Sequence, residues 1–327
     1  MVKEASSMPN AGKGGPRTLL ICSEDGEAYA RLVRRARLPG LRVRVVRDER
    51  QARALLPSAR LLLADPGAVA AHLERGRALE WIQSTWAGVE ELIEPCRRLG
   101  VPLTGVRGIF GPLMREYVMA YILAIERSLF PVREDQRRRR WLKRPYRGLE
   151  GLALGVLGLG SIGRDVAAAA SFFGMRVRGL RRGGRPITGV PQVYAPRDMA
   201  AFLRGLDYLV ACLPMTAETE ALFDYRFFRR LGPRAVFINV GRGAQVVEED
   251  LIRALREGRL RGAVLDVFRR EPLPRTSPLW RLKNVYLTPH NAGESFPEQV
   301  APIFIENFRR FMAGRPLLYR VDLRQGY

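Results

Sequence analysis

The sequence predicts an α/β protein made of two doubly wound domains, each with a parallel sheet. Length is the first observation, because 327 residues correspond to about two domains at roughly 150 residues each. Composition is the second: 47% hydrophobic and 27% charged residues are typical of a globular chain with a large core. The third is the alternation, from Thr18 onward, of short apolar runs with helical stretches. This is the pattern of a parallel sheet covered by helices on both faces.

Short apolar runs in the N-terminal third predict strands, because turn-forming or polar residues bound them. They are Leu19–Cys22, Leu41–Val46, Leu61–Ala64, Trp81–Ser84 and Pro102–Thr104. Between them, apolar residues at helical spacing predict helices at Glu27–Arg37 and Val89–Leu99. A long helix is predicted from Pro112 to Phe130, since proline suits a first helical turn and the apolar residues after it recur at helical spacing.

An arginine-rich loop around residues 137–144 precedes a second alternating series. Its predicted strands are Ala153–Leu157, Met175–Gly179, Tyr208–Cys212, Val236–Val240, Ala263–Val267 and Val285–Thr288. Helices are predicted at Ile162–Phe173, Glu248–Glu257 and, near the end of the chain, Phe296–Met312. No apolar run approaches the roughly 18–20 residues that a membrane-spanning helix needs, so no membrane partner is expected.

The formal net charge of +22 suggests nucleic-acid binding as a hypothesis. Only four of the 55 basic residues are lysines, and the arginines are spread over the whole chain. This skew fits the base composition of the gene better than a binding surface. One block stands out, Arg137–Arg140 followed by Lys143 and Arg144. It is either a polyanion site or, as we expect, a solvated surface or subunit contact, and no nucleic-acid partner is predicted.

The cysteines and the N-terminus indicate a reducing, cytoplasmic setting. Cys22, Cys96 and Cys212 are odd in number, far apart and without a C-x-x-C pair. We therefore expect buried thiols rather than a disulfide framework or a zinc site, and no metal is predicted. Residues 1–16 are polar and lack the apolar stretch of a signal peptide, which predicts a flexible tail.

A glycine-rich turn follows the first strand of the second series. Gly158, Gly160 and Gly163 spell G-L-G-S-I-G, and a helix begins near Ser161 and Ile162. The first glycine permits the tight turn, the second lets the backbone approach a pyrophosphate, and the third lets the helix pack on the strand. Free N–H groups at the start of a helix attract negative charge. The turn therefore predicts a dinucleotide site rather than an ordinary strand–helix connection.

The end of the next strand indicates which dinucleotide is bound. A site that prefers NAD places an acidic residue there, where it binds the ribose 2′-hydroxyl. Arg181 and Arg182 occupy that place here, and no acidic residue occurs between Asp165 and Asp198. Arginine side chains can clamp a 2′-phosphate, so we expect NADP, with NAD as the alternative.

Reactive side chains follow the last strands of the second series. Arg242, Glu271 and His290 come after its fourth, fifth and sixth predicted strands, at the edge where doubly wound sheets bind ligands. Arginine matches a carboxylate, and histidine titrates near neutral pH. A carboxylate beside the histidine would orient its ring and raise its pKa. This set predicts reduction of a keto acid with His290 as the proton donor, whereas the other histidine, His72, lies in an ordinary amphipathic segment.

Motifs spread over the chain resemble the D-isomer-specific 2-hydroxyacid dehydrogenase family. In order they are G-L-G-S-I-G at Gly158, N-V-G-R-G at Asn239, L-D-V-F-x-x-E-P-L-P at Leu265 and T-P-H-N-A-G at Thr288. In the N-terminal half, the segments W-I-Q-S-T-W-A-G-V and V-R-G-I-F-G are most similar to the glyoxylate/hydroxypyruvate reductase branch. Each motif alone is weak, but the ordered set is specific and spans nearly the whole chain after the tail.

This resemblance implies a domain organisation and further cofactor contacts. It implies a Rossmann cofactor domain at residues 112–293 and a discontinuous, flavodoxin-like substrate domain at residues 17–111 and 294–327, with a cleft between them. Asp266 should lie near the nicotinamide carboxamide. The cofactor contacts implied in addition to the glycine turn and the arginine pair are Leu213, Pro214, Thr219, Val240, Asp266 and His290.

The resemblance also implies how substrate and subunits are held. The backbone around Trp86, Ala87 and Gly88 should join Arg242 in binding the substrate carboxylate. Family members are usually homodimers joined through their cofactor domains. Trp141 is a candidate either to reach the substrate pocket of the partner subunit or to anchor the dimer interface.

These observations predict an NAD(P)-dependent oxidoreductase that reduces a small 2-keto acid, such as glyoxylate or hydroxypyruvate, to the (R)-2-hydroxy acid with NADPH. A nucleotide-sensing, corepressor-like binding protein on the same fold is the alternative. Phosphite dehydrogenases share the Arg–Glu–His set and stay open, whereas formate dehydrogenases place Gln where Glu271 stands. The pair Glu116 and Tyr117 stands where many relatives carry Glu-His, and no function is assigned to it.

Overall fold

The structure, a computed structural model, describes residues 16–326 and divides them into two compact units. One unit consists of residues 16–109 and 295–326, and the other of residues 110–294. The predicted tail, residues 1–16, lies outside the described residues except for Pro16. Within the part of the chain that is described, no helix is both long and apolar enough to cross a membrane.

Strands and helices alternate along both units. The strands are β1 (Arg17–Cys22), β2 (Leu41–Val45), β3 (Leu61–Ala64), β4 (Trp81–Ser84), β5 (Leu103–Thr104), β6 (Ala153–Leu157), β7 (Arg176–Leu180), β8 (Gln192–Tyr194), β9 (Tyr208–Ala211), β10 (Val236–Asn239), β11 (Gly262–Leu265) and β12 (Val285–Leu287). The helices are α1 (Gly26–Arg35), α2 (Glu49–Leu55), α3 (Pro66–Val69), α4 (Glu90–Leu99), α5 (Gly111–Glu126), α6 (Leu129–Arg137), α7 (Ser161–Phe172), α8 (Met199–Leu203), α9 (Tyr225–Leu231), α10 (Glu248–Arg256) and α11 (Pro297–Met312).

The first unit is built around a parallel sheet of five strands in the order β2-β1-β3-β4-β5. This is the strand order of the flavodoxin-like doubly wound fold. The inner strands β3 and β4 are buried along their whole length. Burial on both faces explains why β3 reads as a continuous apolar run rather than as an alternating pattern.

The last helix returns to the first unit. It packs on β4, where the rings of Trp81 and Phe304 stack with their centroids 5.1 Å apart. The fully buried amide of Asn307 donates to Gln83 Oε1 at 3.1 Å and to the carbonyl of Leu318 at 3.1 Å. Stacked aromatic rings and satisfied buried amides both stabilise a packed contact, so the C-terminal helix belongs with the N-terminal sheet.

The second unit is built around a parallel sheet of seven strands in the order β12-β11-β10-β9-β6-β7-β8. This is the Rossmann order, extended by one strand. The central strand β6 is covered on both faces: Leu154 and Val156 belong to one apolar cluster, and Ala153 and Leu157 to another. Because all the strands are parallel, the loops that carry the predicted site residues leave the sheet at one edge.

The predicted fold class is confirmed, and the predicted strands recur with ends that differ by at most two residues, whereas β8 was not predicted. The long helix predicted from Pro112 to Phe130 is wrong only at its end, because α5 ends at Glu126, Ser128 has a left-handed φ of 52° and a separate helix begins at Leu129. The reason is tertiary: the main-chain carbonyl of Glu126, which a continued helix would pair with the N–H of Phe130, accepts the N–H of Arg147 at 3.2 Å. The separate helix α6 ends at Arg137, the first residue of the stretch predicted as an arginine-rich loop.

Candidate active site

The turn between β6 and α7 requires glycine at two positions. Gly158 has a φ of 94°, and a Cβ at this residue would lie 2.6 Å from the carbonyl oxygen of Cys212. A Cβ on Gly163 would overlap the carbonyl group of Gly158. These glycines let α7 begin directly above the end of β6, which is the close approach that the G-x-G-x-x-G pattern predicts.

The N-terminus of α7 is open on the side where a ligand would approach. Gly160 is the N-cap residue, and no side chain of the described residues caps the helix. A Cβ on Gly160 would meet no atom within 4 Å, and the first turn contains no acidic residue. The first N–H groups, those of Ser161 and Ile162, have no partner within the helix, and the helix dipole favours an anion there. The turn therefore fits the pyrophosphate of a dinucleotide.

The two arginines predicted to select the dinucleotide follow the adjacent strand. β7 lies beside β6 with Leu180 opposite Leu157, and the N–H of Gly158 donates to the carbonyl of Leu180 at 3.0 Å. Arg181 therefore leaves the sheet next to the glycine turn. Its side chain is half-buried, whereas Arg182 is exposed. This is the place where a Rossmann domain binds the adenosine ribose.

The loop after β9 is ordered by its own hydrogen bonds. Thr219 Oγ1 donates to the carbonyl of Pro214 at 2.7 Å and accepts from the N–H of Thr216 at 2.8 Å. The Gln245 amide donates to the carbonyls of Leu213 and Pro214 at 3.2 and 2.9 Å. The structure thus brings Leu213, Pro214 and Thr219 into one fixed loop at the edge that carries the glycine turn.

Gln245 is a residue of this site that sequence reasoning missed. Its side chain is fully buried, and its Oε1 accepts the N–H of Arg242 at 3.3 Å while its amide holds the loop after β9. It therefore joins the loops after β9 and β10. No sequence signal pointed to it, because the burial that makes its amide need partners arises only in the fold. Val240, also in this segment, is buried and donates its N–H to the carbonyl of Ala211 at 3.2 Å.

Arg242 is placed by a short loop after β10. The Asn239 side chain accepts from the N–H of Gly241 at 3.0 Å and donates to the carbonyl of Arg242 at 3.2 Å. The guanidinium of Arg242 donates to the carbonyl of Gly241 at 2.8 Å. Its charge acts on the pKa of both Glu271 and His290. A permanent cation therefore lies close to the other two predicted catalytic residues.

Glu271 and His290 form a direct pair. His290 Nδ1 donates to Glu271 Oε2 at 2.8 Å, and Glu271 Oε1 accepts the N–H of Phe268 at 2.8 Å. The hydrogen bond to Glu271 raises the pKa of His290, although burial of the ring opposes it. The charges of Glu271 and Asp266 raise this pKa further and that of Arg242 lowers it, and the net effect is an increase. The imidazole of His290 therefore binds its proton more tightly than the side chain of a free histidine.

Glu271 stays ionised in this pair. Burial alone raises the pKa of Glu271, but the hydrogen bonds from His290 and from the N–H of Phe268 outweigh it. The charges of His290 and Arg242 lower the pKa further. A carboxylate beside Nδ1 leaves Nε2 as the ring nitrogen that can deliver a proton.

Asp266 lies behind the histidine. It is 1% exposed, and its carboxylate accepts the N–H groups of Asn291 at 3.0 Å and Ala292 at 3.1 Å. Its Oδ1 also accepts the hydroxyl of Thr288 at 2.7 Å, and its carbonyl accepts the N–H of His290 at 2.9 Å. These partners belong to the segment that carries His290. The expected contact of Asp266 with the nicotinamide stays a prediction.

In the first unit, the turn after β4 presents free backbone groups. Ser84 Oγ donates to the carbonyl of Trp86 at 2.9 Å and accepts its N–H at 3.0 Å. The indole of Trp86 is 48% exposed, and Ala87 is exposed as well. Among the described residues, no group accepts a hydrogen bond from the N–H of Ala87 or Gly88. Two free N–H groups on a fixed turn are suited to an anion such as a carboxylate.

The basic block at residues 137–144 is bound largely by its own chain. Arg140 and Arg144 both pair with Asp135, each at 2.6 Å, and the Asp135 side chain is 4% exposed. Arg138 also pairs with Glu134 at 2.7 Å, so three of the block's six charges are paired with carboxylates of α6. Trp141, within the block, is 98% exposed.

One edge of the second sheet therefore carries a glycine turn open to a phosphate, a permanent cation and an imidazole backed by a carboxylate. Such an edge can bind a dinucleotide, hold a small anion and give a proton to an oxygen atom. Within residues 16–326, no group of three or more His, Cys, Asp or Glu side chains is arranged to hold a metal ion.

The chain is similar to known proteins over most of its length. A family model described as D-isomer specific 2-hydroxyacid dehydrogenase, NAD binding domain, matches residues 119–292. Among curated proteins, the chain is 34% identical over 260 residues to glyoxylate/hydroxypyruvate reductase A of Serratia proteamaculans (strain 568). The aligned region covers 77% of this chain and 83% of that protein.

Solved structures show the same similarity. A D-isomer specific 2-hydroxyacid dehydrogenase family protein from Aeromonas salmonicida subsp. salmonicida A449 is 44% identical with a TM-score of 0.91, covering 94% of this chain and 100% of the other. An NADPH-dependent glyoxylate/hydroxypyruvate reductase from Sinorhizobium meliloti, in complex with NADP and sulfate, is 30% identical with a TM-score of 0.86, covering 95% of this chain and 100% of the other.

Proposed function

This chain belongs to the D-isomer-specific 2-hydroxyacid dehydrogenase family, and from that premise we propose that it reduces a small 2-keto acid to the (R)-2-hydroxy acid with NADPH. Glyoxylate and hydroxypyruvate, which are named in similar reductases, represent the substrate class. The observation that carries the proposal is the 2.8 Å hydrogen bond between His290 and Glu271, at the sheet edge that also carries Arg242 and the glycine turn.

The proposed cofactor site uses the glycine turn for the pyrophosphate and the two arginines for a 2′-phosphate. The open helix start at Gly160 accepts the diphosphate charge. Arg181 and Arg182 favour NADPH over NADH, because their positive side chains can bind the 2′-phosphate that NADPH alone carries. An acidic residue at this place, typical of NAD sites, would repel that phosphate. When bound, NADPH supplies the hydride that reaches the substrate carbon.

Arg242 has the charge and the planar fork that bind a carboxylate. The same guanidinium, close to the carbonyl, would also stabilise the negative charge that develops on its oxygen. We assign the free N–H groups of Ala87 and Gly88 to the substrate carboxylate as well. Together these roles fit a 2-keto acid, in which a carboxylate and a carbonyl are adjacent.

His290 donates the proton in this proposal. As hydride arrives at the carbonyl carbon, the oxygen gains electron density and takes the proton from Nε2. Glu271 keeps the ring protonated before this step and stabilises its orientation afterwards. Solvent then returns a proton to the ring, so that one substrate, one hydride and one proton give one hydroxy acid.

Exposed apolar side chains support the expected homodimer. Leu129, Phe130 and Val132 of α6 are 53, 41 and 43% exposed, and Trp141 and Leu142 beyond it are 98 and 53% exposed. Such a patch is typical of a protein interface. A dimer mass in light scattering, reduced to a monomer mass by Phe130→Glu, would support this assignment, and a monomer mass for the unchanged protein would contradict it.

The decisive experiment is a spectrophotometric screen of NADPH and NADH oxidation. Glyoxylate, hydroxypyruvate, pyruvate, phenylpyruvate and branched 2-oxoacids are the substrates to compare. We expect turnover with the smallest acids and a preference for NADPH. Tight NADPH binding without oxidation by any 2-keto acid would instead favour a nucleotide-sensing protein.

The proton donor is tested by a matched pair of variants. His290→Ala should lower kcat by about 100- to 10,000-fold, the usual contribution of a general acid, and leave NADPH binding nearly unchanged. His72→Ala is the control, because His72 is the other histidine of the chain and contacts Glu49 in the first unit at 2.6 Å. Near-normal reduction by His290→Ala would remove His290 from this role.

A further inference from the structure

A chain of hydroxyl groups connects helix α5 to the carboxylate behind His290. Tyr117 Oη lies 2.6 Å from Thr288 Oγ1, which lies 2.7 Å from Asp266 Oδ1. A carboxylate can only accept, so the Thr288 proton goes to Asp266. Thr288 then accepts from Tyr117, and the hydrogen bonds run in one direction, from the helix through the threonine to the carboxylate.

The Asp266 carboxylate ties together both sides of the turn that carries the histidine. On one side it accepts the hydroxyl of Thr288, and on the other it accepts the N–H groups of Asn291 and Ala292. The main-chain carbonyl of Asp266 accepts the N–H of His290 itself at 2.9 Å. Every residue from 288 to 292, apart from Pro289, is therefore bonded to this one aspartate.

His290 needs such a support. Its φ is 53°, in the left-handed region that residues other than glycine seldom adopt. A conformation of this kind persists only where surrounding contacts hold it. The direction in which the ring leaves the backbone, and with it the contact of Nδ1 with Glu271, depends on that conformation.

We propose that Tyr117 and Thr288 are positioning residues, which hold His290 against Glu271 by fixing Asp266 and the turn that it binds. The consequence for catalysis rests on the proposed function, but the structural consequence does not. The proposal gives a role to Tyr117, whose place in the sequence had suggested none.

The groups around the hydrogen-bonded series Tyr117–Thr288–Asp266 are suited to this positioning role. Burial raises the pKa of Tyr117, so its hydroxyl stays protonated throughout any practical assay range. Tyr121, on the next turn of α5, stacks at a tilt against Tyr117 with centroids 4.9 Å apart. The charged groups that act on His290 are Glu271, Asp266 and Arg242, and the substitutions below change none of them directly.

Magnetic resonance of the two histidine rings tests the structural part without any substrate. The chain has two histidines, so His72 in the first unit is an internal reference. In Thr288→Val the pKa of His290 should fall toward its ordinary value, because the ring loses its fixed contact with Glu271, and the signals of His72 serve as the reference. Tyr117→Phe should shift His290 in the same direction by a smaller amount.

Kinetics test the catalytic part. Thr288→Val should lower kcat by roughly 10- to 100-fold, the range for groups that orient a functional side chain from behind, with little change in NADPH affinity. Thr288→Ser restores the hydroxyl and should return both kcat and the His290 titration close to the original. Tyr286→Phe is the matched control, because Tyr286 packs against Phe130 and Tyr121 and its hydroxyl has no hydrogen-bond partner among the described residues.

Defined results would overturn the proposal. An unchanged His290 pKa in both Thr288→Val and Tyr117→Phe would overturn it. A kcat in Thr288→Ser as low as that in Thr288→Val would overturn it as well. Should the valine variant fail to fold, Tyr117→Phe, which removes a single oxygen atom, decides by the same titration. If the unchanged enzyme reduces no 2-keto acid, the proposed function fails, and the titrations still decide this inference.

Discussion

Gly243 lets the loops that carry Arg242 and Glu271 approach each other, and Gly243→Ala is expected to separate them. A Cβ on Gly243 would lie 2.5 Å from the N atom of Arg269 and closer still to the carbonyl group of Phe268. All of these neighbours are backbone atoms, which cannot turn aside as a flexible side chain can. The added methyl group therefore has to push the two loops apart.

The size of the separation follows from the contact distance. Non-bonded heavy atoms reach optimal separation at about 3.5–4.0 Å, so the backbone at 268–269 has to retreat by about 1 Å or more. The N–H of Phe268 holds Glu271 Oε1 at 2.8 Å, so Glu271 moves with this backbone and draws His290 away from Arg242. A displacement of about 1 Å in a catalytic site can cost about 100-fold in rate, and overpacking costs about 1–3 kcal/mol in stability.

Initial rates of NADPH oxidation and thermal unfolding measure the two effects separately. We expect kcat/KM for the best 2-keto acid to fall by about 100-fold in a protein that still unfolds cooperatively. Gly148→Ala is the control, since a Cβ at Gly148 would meet no atom within 4 Å. A folded Gly243→Ala enzyme with unchanged kcat/KM would refute the claim that this close approach aligns the site.

Further predictions concern pH, cofactor choice and stability. Reduction requires protonated His290, so kcat/KM should fall as pH rises through the raised pKa of His290. Glu271→Gln should move this fall in kcat/KM to lower pH. A pH profile that does not move in the variant would contradict the pairing of Glu271 with His290. Arg181→Asp should raise the KM for NADPH about 10-fold or more through lost charge-assisted hydrogen bonds and affect NADH little, whereas equal effects would remove Arg181 from the 2′-phosphate site. Burial raises the pKa of Glu126, but hydrogen bonds, first from Arg147, lower it to about 2. The ionised Glu126 carboxylate therefore stabilises the fold fully above its unfolded-state pKa, and this stabilisation is lost as pH falls toward 2. Glu126→Gln should lower the free energy of unfolding, measured in urea, by about 3 kcal/mol at pH 7 and by less at pH 3.

Features that depend on local sequence could be predicted from it. The strand that enters the glycine turn at Gly158, the turn itself and the helix that leaves it are specified by residues next to one another, and they occur as predicted. The order of the motifs also placed Arg242, Glu271 and His290 after parallel strands of one sheet. Periodicity and glycine spacing report such features because they repeat within one element.

Features that depend on distant partners could not be predicted. The break in the long helix before Ser128 reflects the hydrogen bond between the Glu126 carbonyl and the N–H of Arg147, a residue beyond the helix. The sequence assigned no role to Gln245 or Tyr117; only the fold brings the first to the loop after β9 and the second to Thr288. No local pattern contains these pairings, because tertiary packing alone creates them.

The pKa effects within the catalytic set explain why its members have to act together. The hydrogen bond and charge of Glu271 raise the pKa of His290, although burial of the ring and the charge of Arg242 lower it. The charges of His290 and Arg242 in turn help to keep Glu271 ionised against its burial. Each group thus sets the protonation state that its neighbours require. The loss of any one should therefore cost more than its own contacts, and double variants within the set should show strong non-additivity.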